Sequence, residues 1–438
     1  MAYLTDDNKQ IGVPMELDLF DEPKNQAAVE CFYYTETRPT SNFTSPDVST
    51  VEFSISGQGP EYMDLRRCRL YVRAKIVKGD LSALEDDNTS SIINLPLSTM
   101  WSSVDVFLNN RLVCMNSNYP WKAYLKTILA SGSDEQKSQL QSQLFMKDSG
   151  DLTDTDGKSG GNAGLILRRD FTKGSREFEM EGPLLEDIFS LDRYLIQGVD
   201  LYIKLYRSAN PFVIISADEN ASHKLQLLDV VFKTAKVKVD PGIIVNHMKQ
   251  LEVKPIRYYF QRTEVKKNTI NKDSGEFIWD NVFNTRPVSV VFGLISQESG
   301  NGSYKSNPLC FSHYQATDVG LYVNGESQPR RPLKLDFGTD KHYSTAYMNL
   351  FEVCEKLNKD AGLTISRTDF ANGYALYAFT LDPNDLGEDY INLVKHGNVR
   401  LEMKFKTGLP TAVTCIAFGV FESYLEIDHS RNVRYIQP

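Results

Sequence analysis

One strand pattern occurs twice in this chain, in the same order, and that duplication limits the fold more than any other feature. Val104-Asp105-Val106-Phe107-Leu108-Asn109-Asn110 is echoed by Val319-Gly320-Leu321-Tyr322-Val323-Asn324-Gly325, an apolar strand running into a turn pair. Each echo leads into an aromatic-rich helical stretch, with Ala123-Tyr124-Leu125 answered by Ala346-Tyr347-Met348. The segments 183–205 and 383–405 then align without a gap. Within them Val199, Leu201, Ile203 and Leu205 alternate with other residues as Val399, Leu401, Met403 and Phe405 do, and Lys204 stands where Lys404 stands. Val237-Lys238-Val239-Asp240 closes the first half much as Leu425-Glu426-Ile427-Asp428 closes the second. Alternation with a period of two marks half-buried strands in general, so a single match carries little. Four colinear matches predict two copies of one β-rich unit.

Length agrees, because 438 residues exceed a usual compact unit and suit two domains of roughly 200 residues each. The 22 Tyr and 23 Phe, many beside Val or Ile, favour strands over helices. Residues 1–45 read as an N-terminal arm, in which Val13, Met15, Leu17 and Leu19 alternate with Pro14, Glu16 and Asp18 as in an extended strand laid on another surface. A frayed tail is the alternative. Residues 46–242 form the first repeat and 243–438 the second, divided at the turn signal Asp240-Pro241-Gly242. Strands are expected at 51–55, 68–77, 104–108, 176–180, 199–206, 212–216 and 225–239. In the second half they are expected at 257–261, 277–279, 288–294, 319–323, 374–379, 399–405 and 412–427. Helices are expected at 122–130, 134–145 and 344–357. A parallel sheet would need a helix after almost every strand, so the pattern predicts all-β sandwiches. Only the first half carries a loop insertion near 146–165, rich in Asp151, Asp154, Asp156, Gly157, Gly160, Gly161 and Gly164. Its composition predicts a solvated, mobile loop.

Catalytic signatures are missing from the sequence: no phosphate-binding glycine loop, dinucleotide fingerprint, nucleophile elbow or H-E-x-x-H. His223, His247, His313, His342, His396 and His429 are scattered, without the close spacing that brings imidazoles to one metal. Asp154, Asp156 and Gly157 briefly resemble a calcium loop, but Leu152 and Ala163 fall where acidic ligands are required. The pairs Glu186-Asp187 and Glu388-Asp389 recur at matched places, which suits a structural role at a helix start better than a catalytic one. Arg66, Arg67, Arg69 and Arg73 form the densest basic run, with Arg67, Arg69 and Arg73 on one strand face, read as a solvated edge or as a contact for acid from a neighbouring chain or for a phosphate. Arg330-Arg331 is similarly open. Net charge is −9 at pH 7, contrary to what a nucleic-acid coat needs. No apolar run approaches the roughly 20 residues that span a bilayer. The start Met1-Ala2-Tyr3-Leu4-Thr5-Asp6-Asp7 lacks a signal-peptide pattern, so synthesis in the cytosol is expected. Cys31, Cys68, Cys114, Cys310, Cys354 and Cys415 include no C-x-x-C pair and read as buried thiols.

Particular stretches carry a family likeness. Asp369-Phe370-Ala371-Asn372-Gly373-Tyr374-Ala375-Leu376-Tyr377-Ala378-Phe379, Lys395-His396-Gly397-Asn398-Val399-Arg400-Leu401-Glu402 and Gly302-Ser303-Tyr304-Lys305-Ser306-Asn307-Pro308 closely resemble the major capsid proteins encoded by Maverick or Polinton elements and their adintovirus relatives. Leu191-Asp192-Arg193-Tyr194-Leu195 and Glu426-Ile427-Asp428-His429-Ser430-Arg431-Asn432-Val433 are similar too. The resemblance implies an all-β double jelly roll, two tandem eight-stranded antiparallel sandwiches with short helices in the connecting loops. It implies a homotrimeric, pseudo-hexameric capsomer that tiles an icosahedral shell through capsomer–capsomer contacts. Penton and minor capsid proteins are the implied partners, and the virion capsid the location. It offers no catalytic, cofactor-binding or metal-binding residue to carry over. Direct sequence-specific nucleic-acid binding is not expected, and condensation of the genome falls to a separate basic protein. A jelly-roll glycan-binding protein with an exposed aromatic platform is the alternative, and a metal-dependent jelly-roll enzyme a distant third.

Overall fold

The computed structural model describes residues 25–43, 45, 48–360, 362–381 and 397–436. Among the described residues, eight strands run along the two main sheets of the first half, besides the short strands Glu61–Met63, Ser91–Ile92 and Ile214–Ile215: β1 (Val29–Thr37), β2 (Thr50–Ile55), β3 (Arg69–Lys78), β4 (Trp101–Leu108), β5 (Arg111–Asn116), β6 (Phe178–Gly182), β7 (Leu201–Arg207) and β8 (His223–Val239). The second half repeats them as β9 (Ile256–Ile270), β10 (Glu276–Trp279), β11 (Ser289–Ser296), β12 (Ala316–Val323), β13 (Glu326–Ser327), β14 (Leu376–Thr380), β15 (Val399–Phe405) and β16 (Val413–Ile427). Hydrogen bonding orders the first set as β1-β8-β3-β6 and β2-β7-β4-β5, and the second as β9-β16-β11-β14 and β10-β15-β12-β13. Adding eight to each label of the first half gives the second, and every neighbouring pair is antiparallel. This is the double jelly roll.

Register explains the repeated lysine. Lys204 on β7 lies between Glu52 on β2 and Asp105 on β4, with its ammonium 3.1 Å from Glu52. Lys404 on β15 lies between Glu276 on β10 and Asp318 on β12. A cation opposed by an acid on each side is a favourable cross-strand match, here built twice. On the other face of β7 and β15, Leu201, Ile203, Leu205, Val399, Leu401 and Met403 are buried. The buried apolar side chains of both halves join in one continuous cluster.

The turns repeat as well. Asn109 and Asn110 have φ of 45° and 64°, and Asn324 and Gly325 have 54° and 87°. Two left-handed central residues define the type I′ turn, whose twist matches that of the strands it joins. No atom of the described residues stands within 4 Å of a Cβ built on Gly325, so among them only the backbone conformation restricts that position. Gly325→Asn is therefore expected to leave the thermal midpoint nearly unchanged, since Asn110 occupies the equivalent place. Gly325→Val is expected to cost about 1–2 kcal/mol. Equal melting of the two variants would refute this.

Several expectations need correction. Residues 29–37, assigned to the arm, pair along β8 as the edge strand β1 of the first sheet; the alternating segment 13–19 lies outside the described residues. Asp240-Pro241-Gly242 opens a helix rather than a plain turn. Asp240 caps α3 (Pro241–Val253) by accepting from Gly242 N–H at 2.8 Å, with Pro241 in the first turn, where a missing N–H costs nothing. The helix expected over 134–145 breaks at Ser138 into Ser133–Lys137 and a 3-10 turn. The strand expected at 212–216 shrinks to Ile214–Ile215 behind a helical turn.

The insertion is packed, not loose. Asp151, Asp154 and Asp156 accept hydrogen bonds from the backbone N–H of Thr153, Asp156 and Lys158 at 3.0, 2.9 and 2.8 Å, a run of Asx turns. Gly157 N–H donates to Thr89 O at 2.9 Å, and a Cβ there would meet that oxygen at 2.7 Å. Leu152 is buried. Glycine and aspartate serve close backbone approach and turn formation here, a use that composition does not separate from mobility.

Candidate functional site: the seam between the two sandwiches

The most elaborate polar chemistry among the described residues lies where the halves meet. After β5 the chain forms α1 (Tyr119–Ala130), which carries Lys122 into the interior. Its ammonium is fully buried, 2.8 Å from Glu186 and 2.9 Å from Asp187. Glu186 also accepts from Asn116 Nδ2 at 3.1 Å. Asp187 reaches across the seam, accepting from Thr263 N–H at 2.9 Å and Thr263 Oγ1 at 2.7 Å on β9, and Lys126 lies 3.4 Å away. Burial alone would raise the Asp187 carboxyl, but Lys122, Lys126 and Thr263 hold it below its ordinary value. Burial pushes Glu186 up against the pull of Lys122. For Lys122, burial acts downward and the two carboxylates overcome it. A lone buried charge is very costly; here each is paired and hydrogen-bonded.

A second knot ties the insertion to the other half. Asn162 caps α2 (Ala163–Thr172), and Arg168 on that helix is fully buried. Its guanidinium donates to Ile92 O, Met146 O and Asp148 Oδ1 at 2.9, 2.7 and 2.8 Å. From the second half, Tyr374 Oη donates to Asp148 O at 2.8 Å and Asn307 Nδ2 to Leu152 O at 3.2 Å. Lys147 pairs with Asp369 at 2.6 Å. Further bonds run along the seam from Trp121 Nε1 to Pro308 O (3.0 Å), Tyr304 Oη to His223 O (2.8 Å), Tyr258 Oη to Tyr194 O (3.1 Å) and Arg431 Nε to Gln197 O (2.9 Å).

The stretches that carry the family resemblance supply much of this seam. Tyr304, Asn307 and Pro308 come from one, Tyr194 from a second, Arg431 from a third, Asp369 and Tyr374 from a fourth. Of the remaining stretch, Val399 to Glu402 lie on β15 while Lys395 and His396 fall outside the described residues, as do Glu388 and Asp389.

The basic run has a local use. Arg66 and Arg67 sit in a 3-10 turn before β3, and β3 is interior to its sheet, so the solvated-edge reading does not hold. Arg66, Arg67, Arg69 and Arg73 lie 3.0, 3.4, 3.6 and 3.4 Å from Asp192, Asp64, Glu181 and Glu177. Arg67 and Arg69 also cover the rings of Phe32 and Tyr34. Arg330 pairs with Glu352 at 3.0 Å. Cys68, Cys114, Cys310 and Cys415 are buried free thiols, Cys354 is half-buried and Cys31 is exposed on β1. Phe32, Tyr33 and Tyr34 are exposed along the edge strand β1. No group of three His, Cys, Asp or Glu among the described residues is placed to hold a metal, and no described helix is long and apolar enough to cross a membrane.

With this architecture, the chain belongs structurally with double jelly rolls. A chain of the Sputnik virophage, solved by cryo-electron microscopy, superposes with a TM-score of 0.63 at 12% identity, covering 98% of this chain and 93% of that one. The mavirus major capsid protein gives 0.54 at 12% identity over 98% and 95%, and the Faustovirus major capsid protein 0.58 at 9% over 93% and 92%. In sequence, the chain is 23% identical over 403 residues to "Uncharacterized protein F54H12.2" of Caenorhabditis elegans, covering 87% of this chain and 92% of the relative. No family model matches the chain.

Proposed function

We propose that this chain is a viral major capsid protein that forms homotrimeric, pseudo-hexameric capsomers and tiles an icosahedral shell. The observation that carries the reading is the doubling of one eight-strand order, held by a buried polar seam. Three copies of two similar sandwiches present six similar walls, so a trimer fills the place of a hexamer, while the difference between the halves fixes its orientation. Neighbours that are themselves named major capsid proteins support the role. The resemblance in the seam stretches points to the Maverick or Polinton lineage, and a relative in a nematode is what an element carried in animal genomes would leave. We place the first sandwich at about residues 29–240 and the second beyond it, with an arm before them. Penton and minor capsid proteins complete the shell in this reading. A formal charge of −9 leaves genome condensation to a basic partner.

Negative-stain electron microscopy of the purified protein near neutral pH tests this. Hexagonal particles about as thick as one sandwich pair, whose mass corresponds to three chains, are expected. A uniform population of monomers at micromolar concentration would overturn the capsomer reading while leaving the fold intact.

A further inference from the structure

A cleft of about 590 Å³ opens where three loops meet: residues 150–153 of the insertion, 310–315 between β11 and β12, and 371–373 ahead of β14. Residues 310–315 lead into the start of β12, and the β12–β13 hairpin turns at that strand's other end. Both halves contribute polar groups to the cleft. Asp151 is immobilised, accepting from Thr153 N–H at 3.0 Å and Thr153 Oγ1 at 2.6 Å. His313 Nδ1 accepts from Gln315 N–H at 3.0 Å, which places the hydrogen of the neutral ring on Nε2. That ring is stacked on Phe337 with centroids 4.2 Å apart.

Two further features set the cleft apart from an ordinary surface dent. Tyr314 and Gln315 are consecutive non-glycine residues in the left-handed region, with φ of 44° and 53°. Such backbone costs about 1–2 kcal/mol per residue and tends to collect where a site is being shaped. Gln315 and Asn372, both exposed, and the half-buried Tyr314 line the same opening. Exposed amides, a fixed carboxylate and an amphipathic ring thus converge on it.

Charge narrows the ligand. No Lys or Arg among the described residues lines the cleft, so a phosphate, sulfate or acidic sugar would meet Asp151 without a countercharge from them. A neutral polyol fits each group present: adjacent hydroxyls donate to the carboxylate and accept from the amides, while a C–H face lies on the tyrosine ring. We propose that this cleft binds a neutral hexose unit of a glycan. The binding itself follows from the cleft; that it would face outward on a particle rests on the capsid reading, in which the long loops point away from the interior.

Saturation-transfer-difference NMR on the intact purified protein tests the proposal, with galactose-, glucose- and mannose-terminated oligosaccharides as probes and a sialylated one for comparison. At least one neutral probe is expected to bind, and binding to weaken at least tenfold in Asn372→Ala and in Gln315→Ala. Both side chains are exposed, so the melting temperature and particle shape should not change. Absence of neutral binding at millimolar concentration, unchanged binding in both variants, or preference for the sialylated probe would overturn the site. Monomers in the microscope with sugar binding intact would sink the capsid reading and leave the cleft; trimers without binding would do the reverse.

Discussion

Replacing Lys122 by methionine is expected to destabilise the protein by about 3–5 kcal/mol, because it leaves Glu186 and Asp187 buried with no adjacent cation but the more distant Lys126. The sign with pH follows from the wild-type shifts. Asp187, held low, contributes stability above its unfolded pKa, and this is lost as pH falls through the folded value. Lys122, pushed up, contributes fully below the ordinary lysine value and loses that contribution only as pH rises through the folded one. Glu186, raised by burial, opposes the fold at neutral pH and does so less once protonated in acid. Without Lys122 both carboxylates favour the protonated form, so the variant's deficit relative to wild type should be larger at pH 8 than at pH 5. Urea denaturation at the two pH values measures it. A deficit below about 1 kcal/mol, the scale of an exposed pair, or one that does not change with pH, would show that water reaches the cluster. Combining Lys122→Met with Glu186→Gln and Asp187→Asn should recover part of the loss, since no buried carboxylate then remains there.

The duplicated architecture was legible because half-buried strands write their register into the sequence. Lys204 and Lys404, the Asn109-Asn110 and Asn324-Gly325 turns, and β15 all stand where the pattern put them. The seam was not legible in the same way. Glu186-Asp187 looked like acids at a helix start, and Glu186 does precede a 3-10 turn, but its principal partner Lys122 is 64 residues away and Thr263 is 76 residues from Asp187. Pattern reading sees neighbours in sequence, whereas a buried charge is explained by neighbours in space. Strand β1 was missed because Cys31, Phe32, Tyr33 and Tyr34 are exposed in turn rather than alternating. Their β propensity was the available signal. For α3 the signal was the Asp240-Pro241 pair, a cap followed by a first-turn proline.

The insertion gives the second large effect, opposite to what its composition implies. Arg168→Ala is expected to cost about 3–5 kcal/mol or more, since it strands the buried Asp148 carboxylate. It also removes the donor from two carbonyls, Ile92 O and Met146 O, each costing about 1–3 kcal/mol if no water replaces it. Deleting residues 157–164 should be comparably damaging, because it takes away the Asn162 cap and the Gly157 contact with Thr89 that hold α2 in place. By contrast, Lys158→Ala and Ser159→Ala alter exposed side chains of the same loop and should shift the thermal midpoint by little. Comparing soluble yield and melting of these four variants separates a packed strut from a replaceable outer loop. If the deletion melts like wild type, the insertion is an ornament and the second half must hold Asp148 without it. If Arg168→Ala and the deletion fail together while the two surface variants do not, the insertion is part of the lock that holds the two jelly rolls together as one rigid body.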